Sequence, residues 1–123
     1  MKYKFWGKVR KHNQRGKKLG FPTANVSLHK VIPEGIYVSF AKVNGRKYQA
    51  LTFIGRVKTF NEKLFHSETF ILDFEQNLYG KWIIINLLKK LRPNKKFKSA
   101  AELITQMQKD KAEARKYFYN LAS

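Results

Sequence analysis

"IYVSFAKVNGRKYQALTFI", Ile36 to Ile54, decides the fold class. β-Branched and aromatic residues crowd both halves, Ile36 to Val43 and Arg46 to Ile54, and such side chains suit the pleated, half-buried surface of a strand. Between the halves stands Asn44-Gly45, a pair that tolerates positive φ at both central positions of a two-residue hairpin. The stretch therefore reads as two antiparallel strands joined by a tight turn. Outward from it, "YKFWGKVR" (Tyr3 to Arg10), "ETFILDF" (Glu68 to Phe74) and "KWIIINL" (Lys81 to Leu87) carry the same signal. No helical pattern separates these segments, which favours antiparallel pairing over βαβ units; closing the sheet into a small barrel would remove its exposed edges.

Helix signals gather at the end of the chain. "SAAE" offers Ser99 as N-cap with Glu102 as its capping-box partner. Leu103, Met107, Ala114, Phe118 and Leu121 then recur at three-, four- and seven-residue steps, one apolar stripe able to dock on the barrel. Residues 11–20 and 89–98 read as basic, mobile loops. The expectation is one domain over residues 1–123, with the barrel over about 3–90 and the helix over about 99–121.

Composition bounds the function. The 26 Lys and Arg against 8 Asp and Glu give a formal charge of +18, so the surface attracts polyanions such as nucleotide phosphates or RNA. The chain has no cysteine, which excludes disulfides, thiolate chemistry and Cys-based zinc sites. The apolar run Trp82 to Leu88 is too short to cross a bilayer, and no secretory signal opens the chain, so a cytoplasmic, membrane-free and monomeric protein is expected.

Few residues look chemical on their own. His12, His29 and His66 fall in separate segments without metal-ligand spacing and read as surface or loop histidines. Glu68 and Asp73 sit five residues apart on one expected strand, hence on opposite faces, and cannot form a catalytic pair. In "KKLGFPTAN" (Lys17 to Asn25), Gly16 and Gly20 let backbone approach an anion, and Lys17 and Lys18 bring charge. The spacing does not match the common phosphate-binding loop. Local chemistry alone reads it as an ordinary turn, with Pro22 fixing φ and Phe21 held extended.

The order of five blocks says more. "GKVRKHNQRGKKLGFPTANVSL", "PEGIYV", "IGRVKTF", "SETFILDFEQNLYGK" and "KKLRPNKKFKSAAELITQMQKD" together resemble the riboflavin kinase family, over Gly7 to about Arg115. The resemblance implies a mainly β protein, a six-stranded antiparallel Greek-key barrel with a long C-terminal helix. It implies transfer of phosphate from ATP to riboflavin, giving FMN and ADP, with Mg²⁺. Matched position by position, Thr23 and Asn25 would meet the metal and the phosphates, and Glu68 would be the general base. Gly16, Lys17, Lys18, Gly20 and Pro22 would belong to the nucleotide flap, and Arg92 and Phe97 would border the flavin. The adenylyltransferase half of the bifunctional bacterial enzymes is not in this chain.

Four positions depart from the family pattern: Asn13 for Gly, Lys58 for Pro, Asn77 for Asp and Asn94 for Glu. All but the first shift the chain towards positive charge. The alternative they keep open is a non-enzymatic basic barrel that binds RNA or another polyanion, with exposed aromatics among lysines stacking bases.

Overall fold

The hairpin forms where its residues place it. The computed structural model describes residues 3–10, 23–56, 65–74 and 77–122. In it, strands β3 (Gly35–Val43) and β4 (Arg46–Arg56) pair antiparallel, with Asn44 and Gly45 at φ 52° and 78°. Strands β1 (Tyr3–Lys8), β2 (Ala24–Leu28), β5 (Phe65–Ile71) and β6 (Trp82–Arg92) complete one sheet in the order β1-β6-β3-β4-β5-β2. Every neighbouring pair is antiparallel. The sheet's two edges approach each other where the Arg10 N–H donates to the Asn25 carbonyl at 2.9 Å. The result is a nearly closed six-stranded barrel.

Alternation divides each strand between two environments. Val26, Tyr37, Ala41, Ile83, Ile85 and Leu87 point into the barrel and are buried there. Among them runs a short hydroxyl ladder, Ser39 to Thr52 at 2.8 Å and Thr52 to Thr69 at 3.0 Å, all three fully buried. The opposite face of the sheet carries a second apolar layer, in which Val38, Leu51 and Leu72 meet the helix.

That helix, α1 (Ala100–Ala122), starts as expected. The Glu102 N–H donates to the Ser99 hydroxyl at 3.2 Å, and the Glu102 carboxylate accepts from the Lys98 N–H at 3.0 Å, one residue earlier than the usual reciprocal bond. Ala114 and Phe118 are buried against the sheet, with the Phe118 ring 5.2 Å from that of Phe40. Leu121 is exposed, so the docked stripe stops one turn short of the expected end. No described helix is long and apolar enough to cross a membrane.

Three expectations need correction. β5 begins three residues before the expected strand and ends at Ile71, so Asp73 lies in the following turn at φ 56°. It is parted from Glu68 by a reversal of the chain rather than by the pleat. β6 continues through Arg92 into the segment expected to be loop. Two register shifts against β3 leave Leu88 and Leu91 as extra residues, and both pack towards the helix layer, so the bulges serve the second core. His66 lies within β5, half-buried with its ring 6.0 Å from Phe53, rather than on a loop; His29 is exposed at a bend.

Candidate active site

Strand register assembles the site. Arg92 pairs with Ile36, Ile36 with Phe53, Phe53 with Glu68, and Glu68 with Asn25, one residue from each of β6, β3, β4, β5 and β2. Directly opposed side chains share a face. Since Phe65, Ser67, Thr69 and Ile71 of β5 are buried towards the interior, Glu68 and its row lie on the outer, helix-facing side. With neighbouring strands about 4.8 Å apart, Glu68 stands about 5 Å from Asn25 and about 14 Å across the sheet from Arg92.

A cavity of about 550 Å³ covers Arg92, Ile36, Phe53 and Glu68 of this row, while Asn25 is not among its lining residues. Its floor is apolar, from Ile36, Leu51, Phe53 and Phe70, and Leu103 and Met107 of α1 form a wall. Thr23 and Glu68 open into it on the β2–β5 side, Arg92 and Phe97 on the β6 side. The segment after β6 is fastened to the barrel by Asn94, whose amide donates to the Glu34 carboxylate and the Ile54 carbonyl, each at 3.2 Å. A glutamate at position 94 could donate neither bond and would face Glu34 with like charge. The Asn77 departure is also accommodated: its Oδ1 accepts from the Tyr79 N–H at 2.9 Å, as an aspartate oxygen would.

Arg92 does not stand free in the cavity. Its guanidinium donates to both Asp110 oxygens, at 2.9 Å and 2.7 Å, and Gln106 adds a bond to the same carboxylate at 3.0 Å. The Phe97 ring is within reach of two cations, 6.0 Å from the Arg92 guanidinium carbon and 5.8 Å from the Lys95 ammonium. Asp110 was not among the expected site residues. Its signal was an acid placed inside the apolar stripe, between Met107 and Ala114, where only a paired carboxylate is tolerated.

Asn25 is 7% exposed, and its Oδ1 is buried without a hydrogen-bond partner among the described residues. Orphaned buried oxygens are uncommon. Asn25 opposes Glu68 by register and is two residues from Thr23, so all three carry hard oxygen donors on neighbouring positions, the type that Mg²⁺ takes. No group of three His, Cys, Asp or Glu able to hold a metal occurs among the described residues. Gly16, Lys17, Lys18, Gly20 and Pro22, together with Asn13, Lys58 and His12, lie outside them.

Comparison with known proteins gives this barrel and cavity a family. The chain belongs to the riboflavin kinase family, whose model matches residues 1–118. It is 43% identical over 115 residues to the bifunctional riboflavin kinase/FMN adenylyltransferase of Bacillus subtilis, covering 89% of this chain and 36% of that protein. It is 41% identical over 116 residues to the trifunctional protein RibF/MnmA of Mycoplasmoides gallisepticum, covering 92% and 18%. A solved structure from Streptococcus pneumoniae, described as a macrolide-efflux protein, superposes with a TM-score of 0.84 at 32% identity, over 91% of this chain and 38% of that one. The chain thus spans less than two fifths of the length of each.

Proposed function

We propose that this chain transfers the γ-phosphate of ATP to the 5′-hydroxyl of riboflavin, giving FMN and ADP. The observation that carries the proposal is that Glu68 and Thr23 open into one apolar-floored cavity whose far side is bordered by Arg92 and Phe97. A flat ring system would rest over Ile36 and Phe53 against Leu103 and Met107, with its polyol tail running along the row towards Glu68. The carboxylate would accept the hydroxyl proton as the oxygen bonds to the γ-phosphorus and the bond to the β-phosphate oxygen breaks. The apolar floor would keep water from competing for the phosphoryl group.

The Thr23 hydroxyl and the orphaned Asn25 oxygen would hold a Mg²⁺ together with the triphosphate. When bound, the ion neutralises charge on the phosphates. The protein's part would be to hold one oxygen just before β2 and the other within it, on the strand that pairs with that of Glu68, so that reactants meet in line.

The test mixes purified chain with riboflavin, ATP and Mg²⁺ and follows FMN by chromatography. Turnover is expected, and Glu68→Gln should reduce it by about 10²- to 10⁴-fold. Absence of FMN from the wild-type chain would overturn the proposal.

A further inference from the structure

At the other end of β3 and β6 the outer face of the barrel is bare. Trp6 is 64% exposed and Trp82 65%, although tryptophan is highly buried on average. Register sets them on adjacent strands in diagonal positions: Trp6 faces Ile84, and Trp82, two residues away, faces Lys8. Diagonal neighbours of this kind are about 7–8 Å apart, far enough for each indole to take a different base.

Cations frame the pair. Lys42 lies across Ile84 from Trp6, Lys4 is two residues from Trp6 on the same face, and Lys8 is beside Trp82; all three are exposed. The Lys30 ammonium donates to the Lys4 carbonyl and adds charge at that edge. Strands β1, β3 and β6 contain no acidic residue, so these three strands set no carboxylate against a polyanion. Lys42 is six residues along β3 from Ile36 of the cavity row, about 20 Å at the usual strand rise. Across the barrel seam, by contrast, Lys8 is two residues from Arg10, whose N–H bonds the Asn25 carbonyl, so on that side the face borders β2.

We infer that Trp6 and Trp82, framed by Lys4, Lys8 and Lys42, none of which lines the cavity, form a binding platform for a single-stranded polynucleotide. The indoles stack successive bases, and the lysines follow the phosphates. Pairing of the face with a second copy would set these lysines against their own equivalents, and a polyanion without bases would leave the indoles unused.

Trp6 and Trp82 are the only tryptophans in the chain, so its tryptophan fluorescence, excited selectively over that of the six tyrosines, reports this platform alone. The full chain is titrated with a uridine dodecamer, with the matching DNA and with heparin. Saturable quenching by the oligonucleotides is expected, and the RNA and DNA arms show which source is preferred. With three lysines on phosphates, log affinity should fall against log salt with a slope of about −2. By anisotropy of a labelled oligonucleotide, Trp6→Ala and Trp82→Ala should each weaken binding roughly tenfold or more. Trp6→Phe and Trp82→Phe should keep most of the affinity, and Lys42→Glu should make the salt slope shallower. FMN formation should be unchanged in the Trp variants; a chain that binds but makes no FMN would remove the kinase proposal and leave this one standing. The inference fails if heparin competes equally without quenching, if the alanine variants bind unchanged, or if the fluorescence shift follows protein concentration alone, which would mark a self-association face.

Discussion

Arg92 and Asp110 are joined by two parallel charge-assisted hydrogen bonds, which tie the end of β6 to the middle of α1 across the cavity wall. The carboxylate is almost fully covered and the guanidinium largely so, at 7% and 19% side-chain exposure. Asp110→Ala would leave a shielded cation without its partner and should destabilise the fold by about 3 kcal/mol. Asp110→Asn keeps one acceptor and should cost less. Thermal unfolding followed by circular dichroism orders the two, and equal melting temperatures for both variants and wild type would show that the pair does not brace the helix.

Removing the orphaned amide separates stability from activity. Asn25→Ala deletes a buried oxygen that satisfies no described group, so the fold should hold to within about 1 kcal/mol. If that oxygen meets the metal, FMN formation should need roughly tenfold more Mg²⁺, an effect of about 1.4 kcal/mol. A Mg²⁺ titration of the rate decides; an unchanged requirement argues that Asn25 does not reach the ion.

The hydroxyl ladder inside the barrel makes a different kind of claim. Thr52 bridges Ser39 and Thr69. Thr52→Val strands both neighbours in the buried interior and should cost about 1–3 kcal/mol in urea unfolding. Adding Ser39→Ala and Thr69→Val removes the stranded groups as well, so the triple variant should be more stable than the sum of its single losses. Simple additivity would contradict a coupled ladder.

Acid tests the clasp between the β5 turn and the helix. Arg115 donates to both Asp73 oxygens, at 2.8 Å and 3.0 Å. Those hydrogen bonds first, and the charges of Arg115 and Lys111 after them, hold the carboxyl below its ordinary value of 3.8, while burial opposes. A carboxyl with a lowered folded pKa stabilises the fold above its ordinary value and ceases to do so as pH falls through the lowered one. The small melting-temperature gap between wild type and Asp73→Asn should therefore be present near neutrality and close on acidification. A gap independent of pH would assign the variant's effect to something other than ionisation.

What could be read from the residues was local. Asn44-Gly45 and Ser99-x-x-Glu102 act within a few residues, and the hairpin and helix start lie where those signals put them. Strand β2 carries little strand signal because Ala24–Leu28 is short and includes Asn and Ser. Its extended state comes from pairing with β5, more than 35 residues away in sequence. Lys89 and Lys90 made the end of β6 look like a loop, whereas the bulges at Leu88 and Leu91 let a basic segment remain in the sheet. The grouping of Thr23, Glu68, Arg92 and Phe97 came from family resemblance, since no spacing rule links them. Asp110 required the helix to be docked before its partner was apparent.

The row from Arg92 through Ile36 and Phe53 to Glu68 makes the sheet a ruler graduated in strands. Its interval is set by backbone pairing, which no side-chain substitution stretches. A compound reaching from the guanidinium end to the carboxylate must fit three fixed steps, so an analogue with a tail one carbon shorter should dock yet present its alcohol short of the mark.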